Sequence, residues 1–357
     1  MRQSQIPLLL LVIFIGPLLG IWLSGESILP YLHYPPRSTQ VTPEKVSWTL
    51  FVGGIIFLVL CSTPFLIRLL TFPRTSITGC TKNSFPTWGW MALTSLMLFW
   101  IIAWSRFTWL DSFQLHTFTP LWLSYILLVS ACTTRQTGRC LLLNETKYFL
   151  FLFPVSAGFW WIFEYLNRFG HNWYYLPVNE FDALHYFLFG SLCFSTVLPA
   201  IYVTYEFLKT FPIINDPFKA WRRVNVGQGK GLGWLVLVTA TLGLVGIGMW
   251  PTRLYPLIWI SPLLLLLGIQ ILQSHASFLE KLRKGDWRLV ITPALAGLIC
   301  GFFWELWNSQ SLAHWEYSIP YLQVFHIFEM PILGYAGYIP FSITCLLVIE
   351  IFLPPKT

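Results

Sequence analysis

The chain has 357 residues, of which 55% are hydrophobic and only 10% are charged, and its mean hydropathy is +0.63. Apolar stretches of about 20 residues recur along it, and each is long enough to cross a hydrocarbon core. Because lipid forces backbone polar groups to pair within their own segment, this composition predicts an all-α integral membrane protein. The net charge of +7 does not indicate nucleic-acid binding, since Lys and Arg concentrate in the loops on one side of the predicted membrane domain.

About ten transmembrane helices are predicted from the apolar stretches. They cover approximately 6–24, 48–70, 87–105, 118–134, 148–167, 184–208, 233–250, 255–273, 290–308 and 325–353. Basic residues concentrate in alternate loops, at 71–86, 135–147, 209–232 and 274–289. By the positive-inside rule we expect both termini on the cytoplasmic side of a prokaryotic inner membrane. We also expect the long last span to be broken at Pro331 or Pro340.

One sequence pattern occurs twice. Residues 154–199 run from Pro-x-x-Ala-Gly through Glu-x-x-Asn, Trp-x-Tyr and a His to a Pro, and residues 293–340 repeat that order. The polar and aromatic matches pair Glu164 with Glu305, Asn167 with Asn308, Trp173 with Trp315, Tyr175 with Tyr317 and His185 with His326. Self-similarity of this kind predicts repeated structural units.

The duplication divides the chain into four parts. We predict two N-terminal transmembrane helices at 1–86, a first membrane repeat at 87–209, a basic Gly-rich linker at 210–232 and a second membrane repeat at 233–353. Each repeat would contain four helices. An even number of helices makes the two repeats parallel, related by an axis along the membrane normal.

Acidic and histidine side chains within apolar sequence are functional candidates, because they are costly to place in a membrane. The predicted catalytic residues are Glu164, Asp182, His185, Glu305, His326 and Glu329. A carboxyl group in a poorly hydrated site can donate a proton, and a neighbouring imidazole can take or orient it. The plainer interpretations are a glutamate at a helix end and histidines that hydrogen-bond between helices.

The same side chains could bind a metal. Four carboxylates and two imidazoles from four helices would suit Fe, Mn or Zn. Di-iron carboxylate bundles use a similar inventory, although one pair here reads Asp-x-x-His and the other His-x-x-Glu.

A second group of repeated residues is predicted to bind a substrate. It consists of Asn167, Trp173, Tyr175, Asn308, Trp315 and Tyr317. Aromatic surfaces line sites for large apolar ligands, although an aromatic belt at the membrane interface would use the same residues.

Two stretches carry a resemblance to known families. The segment Trp-Glu-Leu-Trp-Asn at 304–308 and the segment at 328–335 resemble stretches of uncharacterised prokaryotic polytopic membrane proteins. The order of residues in 164–188 and 305–331, an acidic helix, a Trp-x-Tyr loop and a second acidic helix, also resembles tandem membrane lycopene-cyclase domains. The Pro-x-Glu-Glu motif of those domains is absent, so this resemblance implies an isoprenoid-like substrate and no more.

Three functions follow from these observations as alternatives. The first is a membrane-embedded enzyme that acts on a lipid or isoprenoid through the Glu, Asp and His residues near the outer leaflet. The second is a proton- or ion-coupled transporter with its site at the repeat interface, which the Pro and Gly residues of the last span favour. The third is a structural or assembly subunit with partners in a larger membrane complex.

Overall fold

The computed structural model describes residues 5–73, 83–177, 181–225, 229–273 and 277–352. Within these ranges eight helices are long and apolar enough to cross a membrane. A ninth span results if Thr108–Gln114 and Phe118–Thr137, which meet at a bend of 69°, are counted together. The apolar helix Leu257–Leu272 has 16 residues. At about 1.5 Å per residue it is shorter than a typical hydrocarbon core.

Helices and strands are numbered here in chain order. The longer helices are α1 (Ile6–Leu23), α2 (Trp48–Thr71), α3 (Thr87–Trp104), α5 (Phe118–Thr137), α7 (Thr146–Gly170), α8 (Ala183–Phe194), α9 (Val197–Lys209), α11 (Lys230–Met249), α13 (Leu257–Leu272), α15 (Arg288–Asn308) and α16 (Tyr338–Phe352). Short helices are α4 (Asp111–Gln114), α6 (Leu141–Asn144), α10 (Pro212–Lys219), α12 (Pro251–Leu254) and α14 (Ser277–Arg283). Leu29–Leu32, Thr108–Leu110 and Ile332–Gly337 are 3₁₀ helices. The strands are β1 (Trp173–Leu176), β2 (His314–Tyr317), β3 (His326–Ile327) and β4 (Met330–Pro331).

Each apolar stretch of the sequence contains a helix, but the last one does not form a single span. A helix that begins at residue 325 is wrong, because β3 and β4 form a hairpin there and α16 begins only at Tyr338. Phe325 and Phe328 adopt left-handed backbone angles, with φ of 52° and 55°, which a helix does not contain. His326 and Glu329 therefore lie in a hairpin and not on the predicted helix.

Close helix packing depends on small residues where α1 crosses α11. A Cβ atom at Gly20 would overlap the backbone carbonyl of Val245, and one at Gly248 would overlap the carbonyl of Pro17. Glycine at both positions lets the two backbones approach, as small residues do at helix interfaces in membranes. This contact fixes the N-terminal helix against the second half of the chain.

The interior is formed by helices from both predicted repeats. Helix α15 packs on α9 and α16, and α7 packs on α9. Large aromatic side chains fill the space between them, and Trp122, Phe163, Trp307 and Phe341 are almost completely inaccessible. Helix α2 differs, because Phe51 is its one buried residue.

Two short antiparallel ribbons interrupt the helical fold, which the all-α prediction does not include. Strand β1 follows α7 and pairs with β2, which follows α15. Strands β3 and β4 pair with each other. Helix α7 ends where His171 turns into the left-handed region and its N–H bonds to the carbonyl of Asn167 at 2.7 Å. That turn directs the chain into β1.

Candidate functional site

The two Trp-x-Tyr segments of the sequence pair with each other. Trp173 of β1 lies opposite Tyr317 of β2, and Tyr175 lies opposite Trp315. Exchange of each residue for its match in the other copy leaves this register unchanged. The repeated loops therefore meet at one place in the fold.

The two repeated asparagines hold these loops in the same manner. The side-chain Nδ2 of Asn167 donates to the carbonyl of Trp173 at 2.7 Å, and Nδ2 of Asn308 donates to the carbonyl of Trp315 at 2.7 Å. Oδ1 of Asn308 accepts from the N–H of Trp315 at 2.8 Å, whereas Oδ1 of Asn167 accepts from the N–H of Asn172 at 2.8 Å. Both asparagines thus fix loop backbone to the end of a helix and do not face a ligand.

Glu164 accepts three hydrogen bonds on one oxygen. It is 1% exposed. Its Oε1 accepts from the indole N–H of Trp160 at 2.9 Å, the indole N–H of Trp173 at 3.0 Å and the hydroxyl of Tyr175 at 2.6 Å. A buried carboxyl group needs such donors to offset the loss of water. The donors in turn are held in fixed orientations.

Glu305 occupies a comparable environment in the second half. It is fully buried, and its Oε1 accepts from the hydroxyls of Tyr317 at 2.6 Å and Tyr338 at 2.7 Å. The indole N–H of Trp315 donates to the hydroxyl of Tyr317 at 2.8 Å. The pairing of a glutamate with the tyrosine of the Trp-x-Tyr segment is therefore common to both halves.

The other hydroxyl or indole donor to each glutamate comes from a different helix in the two halves. Trp160 lies four residues before Glu164 on α7, and the residue four before Glu305 on α15 is Gly301. A Cβ atom at Gly301 would overlap the ring of Tyr338, the first residue of α16. The absent side chain on α15 thus leaves room for a tyrosine from α16.

In both glutamates the second oxygen has no hydrogen-bond partner within the described ranges. Oε2 of Glu164 and Oε2 of Glu305 are both buried and unpaired, although their Oε1 atoms are fully engaged. An unpaired buried polar atom is costly, and such atoms often mark a functional site.

A cavity of about 530 Å³ lies against these residues. Trp160, Trp173 and Tyr175 line it from the first half, and Trp315, Tyr317 and Tyr338 line it from the second. The two glutamates do not line it, because the aromatic side chains that donate to them form its wall. The glutamates, predicted to act directly on a substrate, therefore lie one layer behind the surface that a ligand would touch.

The tyrosine hydroxyls of the wall remain protonated at neutral pH. Burial, followed by the charge of the neighbouring glutamate, raises the pKa of Tyr175 and of Tyr317 well above its ordinary value. Both groups therefore act as hydrogen-bond donors to the carboxyl groups over the physiological range.

The remaining predicted catalytic residues do not join this cluster. Asp182 is exposed and caps α8 by accepting from the N–H of His185 at 2.9 Å, and the ring of His185 stacks on Phe181. His326 is also exposed and lies 2.8 Å from Oε1 of Gln323. Glu329 is half-buried in the β3–β4 hairpin. These four residues occupy loops or a helix start at the surface of the described structure.

The metal centre considered from the sequence does not assemble. Within the described residues, no group of three or more His, Cys, Asp or Glu side chains is arranged to hold a metal ion. The expectation of a di-iron-like cluster from six side chains is therefore wrong. It relied on His326 and Glu329 being on a helix that faces the repeat interface.

Several residues of the site were missed by sequence reasoning. They are Trp160, Asn172, Trp259, His314 and Tyr338, all of which line the cavity. Three of them have a signal in the repeat: Trp160 lies one turn before Glu164, and Asn172 and His314 directly precede the repeated tryptophans. Tyr338 lies two residues before the repeated Pro340, opposite a Val in the first copy, so the repeat itself conceals it.

The chain matches no protein-family model, and the comparisons with curated proteins and with solved structures find no similar protein. The resemblances to prokaryotic membrane proteins and to lycopene-cyclase domains therefore stay predictions from the motifs.

Proposed function

We propose that this multi-pass membrane protein binds one lipid or isoprenoid molecule in the aromatic cavity and acts on it as a membrane-embedded enzyme. The observation that carries the proposal is the cavity itself, with Trp-x-Tyr segments from both halves in its wall. Its volume falls within the usual range of ligand sites, which are concave, mostly apolar and supplied with a few polar groups.

The wall is suited to reactions in which positive charge develops on a hydrocarbon. Trp160, Trp173 and Trp259 lie within 6.1 Å of one another in successive pairs, measured between ring centroids at Trp160–Trp173 and at 5.4 Å for Trp173–Trp259. Aromatic faces attract a cation electrostatically, most strongly when water is excluded. An alkene protonated in this cavity would therefore be stabilised by its surroundings.

The paired glutamate and tyrosine side chains supply a path for a proton. In each half the tyrosine hydroxyl lies between a buried carboxyl group and the cavity, at 2.6 Å from the carboxyl oxygen. A proton can pass along such a hydrogen bond to or from a bound molecule. In this proposal Glu164 and Glu305 act through Tyr175 and Tyr317.

The finer organisation of the chain belongs to the same proposal. We infer that the segments 87–209 and 233–353 are two parallel four-helix repeats and that an axis along the membrane normal passes between β1 and β2. The exchange symmetry of the β1–β2 register supports this arrangement. The charge of the loops supports an inner membrane with both termini in the cytoplasm.

The cavity is tested by filling it. A Cβ atom at Gly337, which lines the cavity, would lie 3.8 Å from Trp259, an ordinary contact, so the backbone tolerates a side chain there. We expect native mass spectrometry of the detergent-purified protein to show a lipidic adduct that Gly337→Phe loses. The matched control is Gly158→Phe, at an exposed glycine of α7 with open space around it. Equal adduct in Gly337→Phe and wild type would refute the proposal.

Transport is the second candidate, and one observation favours it. The 3₁₀ helix Ile332–Gly337 interrupts the last span, and Leu333, Gly334 and Gly337 line the cavity. Transporters place substrate sites at such broken helices. Proton-coupled uptake into liposomes that is lost in Glu305→Gln would establish transport. Co-purification with other membrane proteins at fixed stoichiometry, without an adduct, would instead favour a complex subunit.

A further inference from the structure

One polar atom of the cavity wall has no use within the protein. Asn172, which connects α7 to β1, lines the cavity and is 2% exposed. Its Oδ1 is buried and has no hydrogen-bond partner in the part of the chain that the structure describes. An oxygen of this kind can accept a hydrogen bond from a bound molecule.

The backbone holds Asn172 firmly in place. Its N–H donates to Oδ1 of Asn167 at 2.8 Å, and its carbonyl accepts from the N–H of Ser318 at 2.8 Å. These two bonds attach the residue to the end of α7 and to the chain that leaves β2. The side-chain oxygen is thus a preorganised acceptor, and a ligand group that meets it does not have to order the loop.

The matched residue of the second half is already engaged. His314 precedes Trp315 as Asn172 precedes Trp173, and it too lines the cavity. Its Nδ1 lies 3.2 Å from the carbonyl of Leu312, and its Nε2 lies 3.6 Å from Oε1 of Glu316. Of this matched pair, only Asn172 therefore offers an unpaired oxygen.

The charge of the wall limits the head group of the ligand. Among the described residues that line the cavity there is no Lys, Arg, Asp or Glu. A phosphate or diphosphate buried there would lack a cationic partner, and burial of an unpaired charge is strongly unfavourable. A neutral group that donates one hydrogen bond satisfies both constraints.

We infer that the cavity binds a neutral isoprenoid or lipid alcohol whose hydroxyl donates a hydrogen bond to Oδ1 of Asn172. The inference rests on the proposed function and narrows its substrate class, because it excludes a pure hydrocarbon and a lipid with a phosphorylated head group.

The test compares three probes of the same chain length. They are geranylgeraniol, its methyl ether and geranylgeranyl diphosphate, each titrated into the purified full-length protein and detected by quenching of tryptophan fluorescence. The ether can accept but not donate a hydrogen bond, so we expect the alcohol to bind about 10-fold more tightly than the ether. We expect the diphosphate to bind more weakly than the alcohol.

Two variants assign the preference to the named atom. Asn172→Leu removes the acceptor, and we expect the alcohol and the ether then to bind equally. Gln270→Leu is the matched control, since Oε1 of Gln270 is also buried and unpaired but the residue does not line the cavity. Its preference for the alcohol should remain. Thermal unfolding of both variants, followed with a thiol-reactive dye, confirms that they fold.

The outcomes separate this inference from the proposed function. Equal binding of alcohol and ether to the wild-type protein, or tighter binding of the diphosphate, overturns the inference while the cavity remains a lipid site. An alcohol preference that survives in Asn172→Leu overturns the role of that residue. Failure of every probe to bind, with an unchanged adduct in Gly337→Phe, overturns the proposed function itself.

Discussion

The two halves of the molecule bring the same pair of groups to the cavity with different support. In the first half the helix that carries Glu164 also supplies Trp160, whereas in the second half Tyr338 comes from the next helix. Glycine at 301 makes that substitution possible. The pair common to both halves is glutamate with tyrosine, so the comparison assigns the shared role to that pair.

The central residues of the ribbon show the same divergence. Tyr174 and Glu316 hold corresponding positions in the two copies and lie opposite each other, and the hydroxyl of Tyr174 donates to Oε2 of Glu316. Identical residues at these positions would place two hydroxyls or two carboxylates together. Divergence of the copies thus allowed a complementary contact where the halves meet.

Gly301→Trp places the residue of the first half in the second, and it should have the largest effect. The new side chain would occupy the position of the Tyr338 ring, which the packed interior cannot move aside. Overpacking of this kind costs about 3 kcal/mol or more. We expect little monodisperse protein in size-exclusion chromatography after purification in detergent.

The double variant Gly301→Trp with Tyr338→Val reproduces the first half and serves as the control. Residue 338 corresponds to Val197, so the clash is removed and the introduced indole can donate to Glu305. We expect the yield of folded protein to return toward that of the wild type. No recovery in the double variant would show that the two halves do not share one geometry at this position.

The next effect concerns the glutamates. Glu164→Leu leaves three buried donors unpaired, whereas Glu305→Leu leaves two. Each unpaired buried donor costs about 1–3 kcal/mol, so Glu164→Leu should lower the melting temperature more than Glu305→Leu. Thermal unfolding with a thiol-reactive dye measures both.

The glutamine variants separate hydrogen bonding from charge. Glu164→Gln and Glu305→Gln keep an oxygen acceptor for the aromatic donors while they remove the acid. We expect their melting temperatures to lie closer to the wild type than those of the leucine variants, with turnover of a bound lipid lost. Loss of folding in the glutamine variants, with unchanged order between them, would assign the glutamates to structure alone.

The two tyrosines should differ by a smaller amount. Tyr175→Phe removes one donor to Glu164, and Tyr317→Phe also removes the acceptor of the indole N–H of Trp315. The additional unpaired group should make Tyr317→Phe less stable by about 1 kcal/mol or more. Equal melting temperatures for the two variants would mean that the Trp315 side chain finds another acceptor.

The sequence was sufficient for those parts of the fold that depend on local periodicity and on repetition. Continuous hydropathy located the helices, and the duplicated glutamates, asparagines and Trp-x-Tyr segments all converge at β1 and β2. The same continuity misplaced His326 and Glu329, because it cannot reveal a hairpin formed by left-handed phenylalanines. Phenylalanine adopts that conformation only where the surrounding structure imposes it.

The position of the acidic groups behind the wall also required three dimensions. Spacing places Glu164 on a helix face but does not tell which side chains stand between it and a cavity. Tyr338 could not be assigned, since its partner Glu305 lies on another helix and its match in the first copy is a valine. Polar satisfaction of a buried group is a tertiary property, and different residues can provide it.

The smallest expected effect is a pH dependence at the centre of the ribbon. Burial, and then the hydrogen bond and charge of Glu316, raise the pKa of Tyr174 to about 12. A folded-state pKa above the ordinary value of about 10 gives stability that is fully present below pH 10 and is lost as the pH rises toward 12. At pH 11 the loss amounts to about 1 kcal/mol. We expect the melting temperature of the wild type to fall between pH 9 and 12 more than that of Tyr174→Phe, which cannot ionise there. Glu316→Gln should retain part of the fall, because burial is the first cause of the shift. Parallel curves for the wild type and Tyr174→Phe would show that this hydroxyl titrates in the folded protein as it does in the unfolded chain.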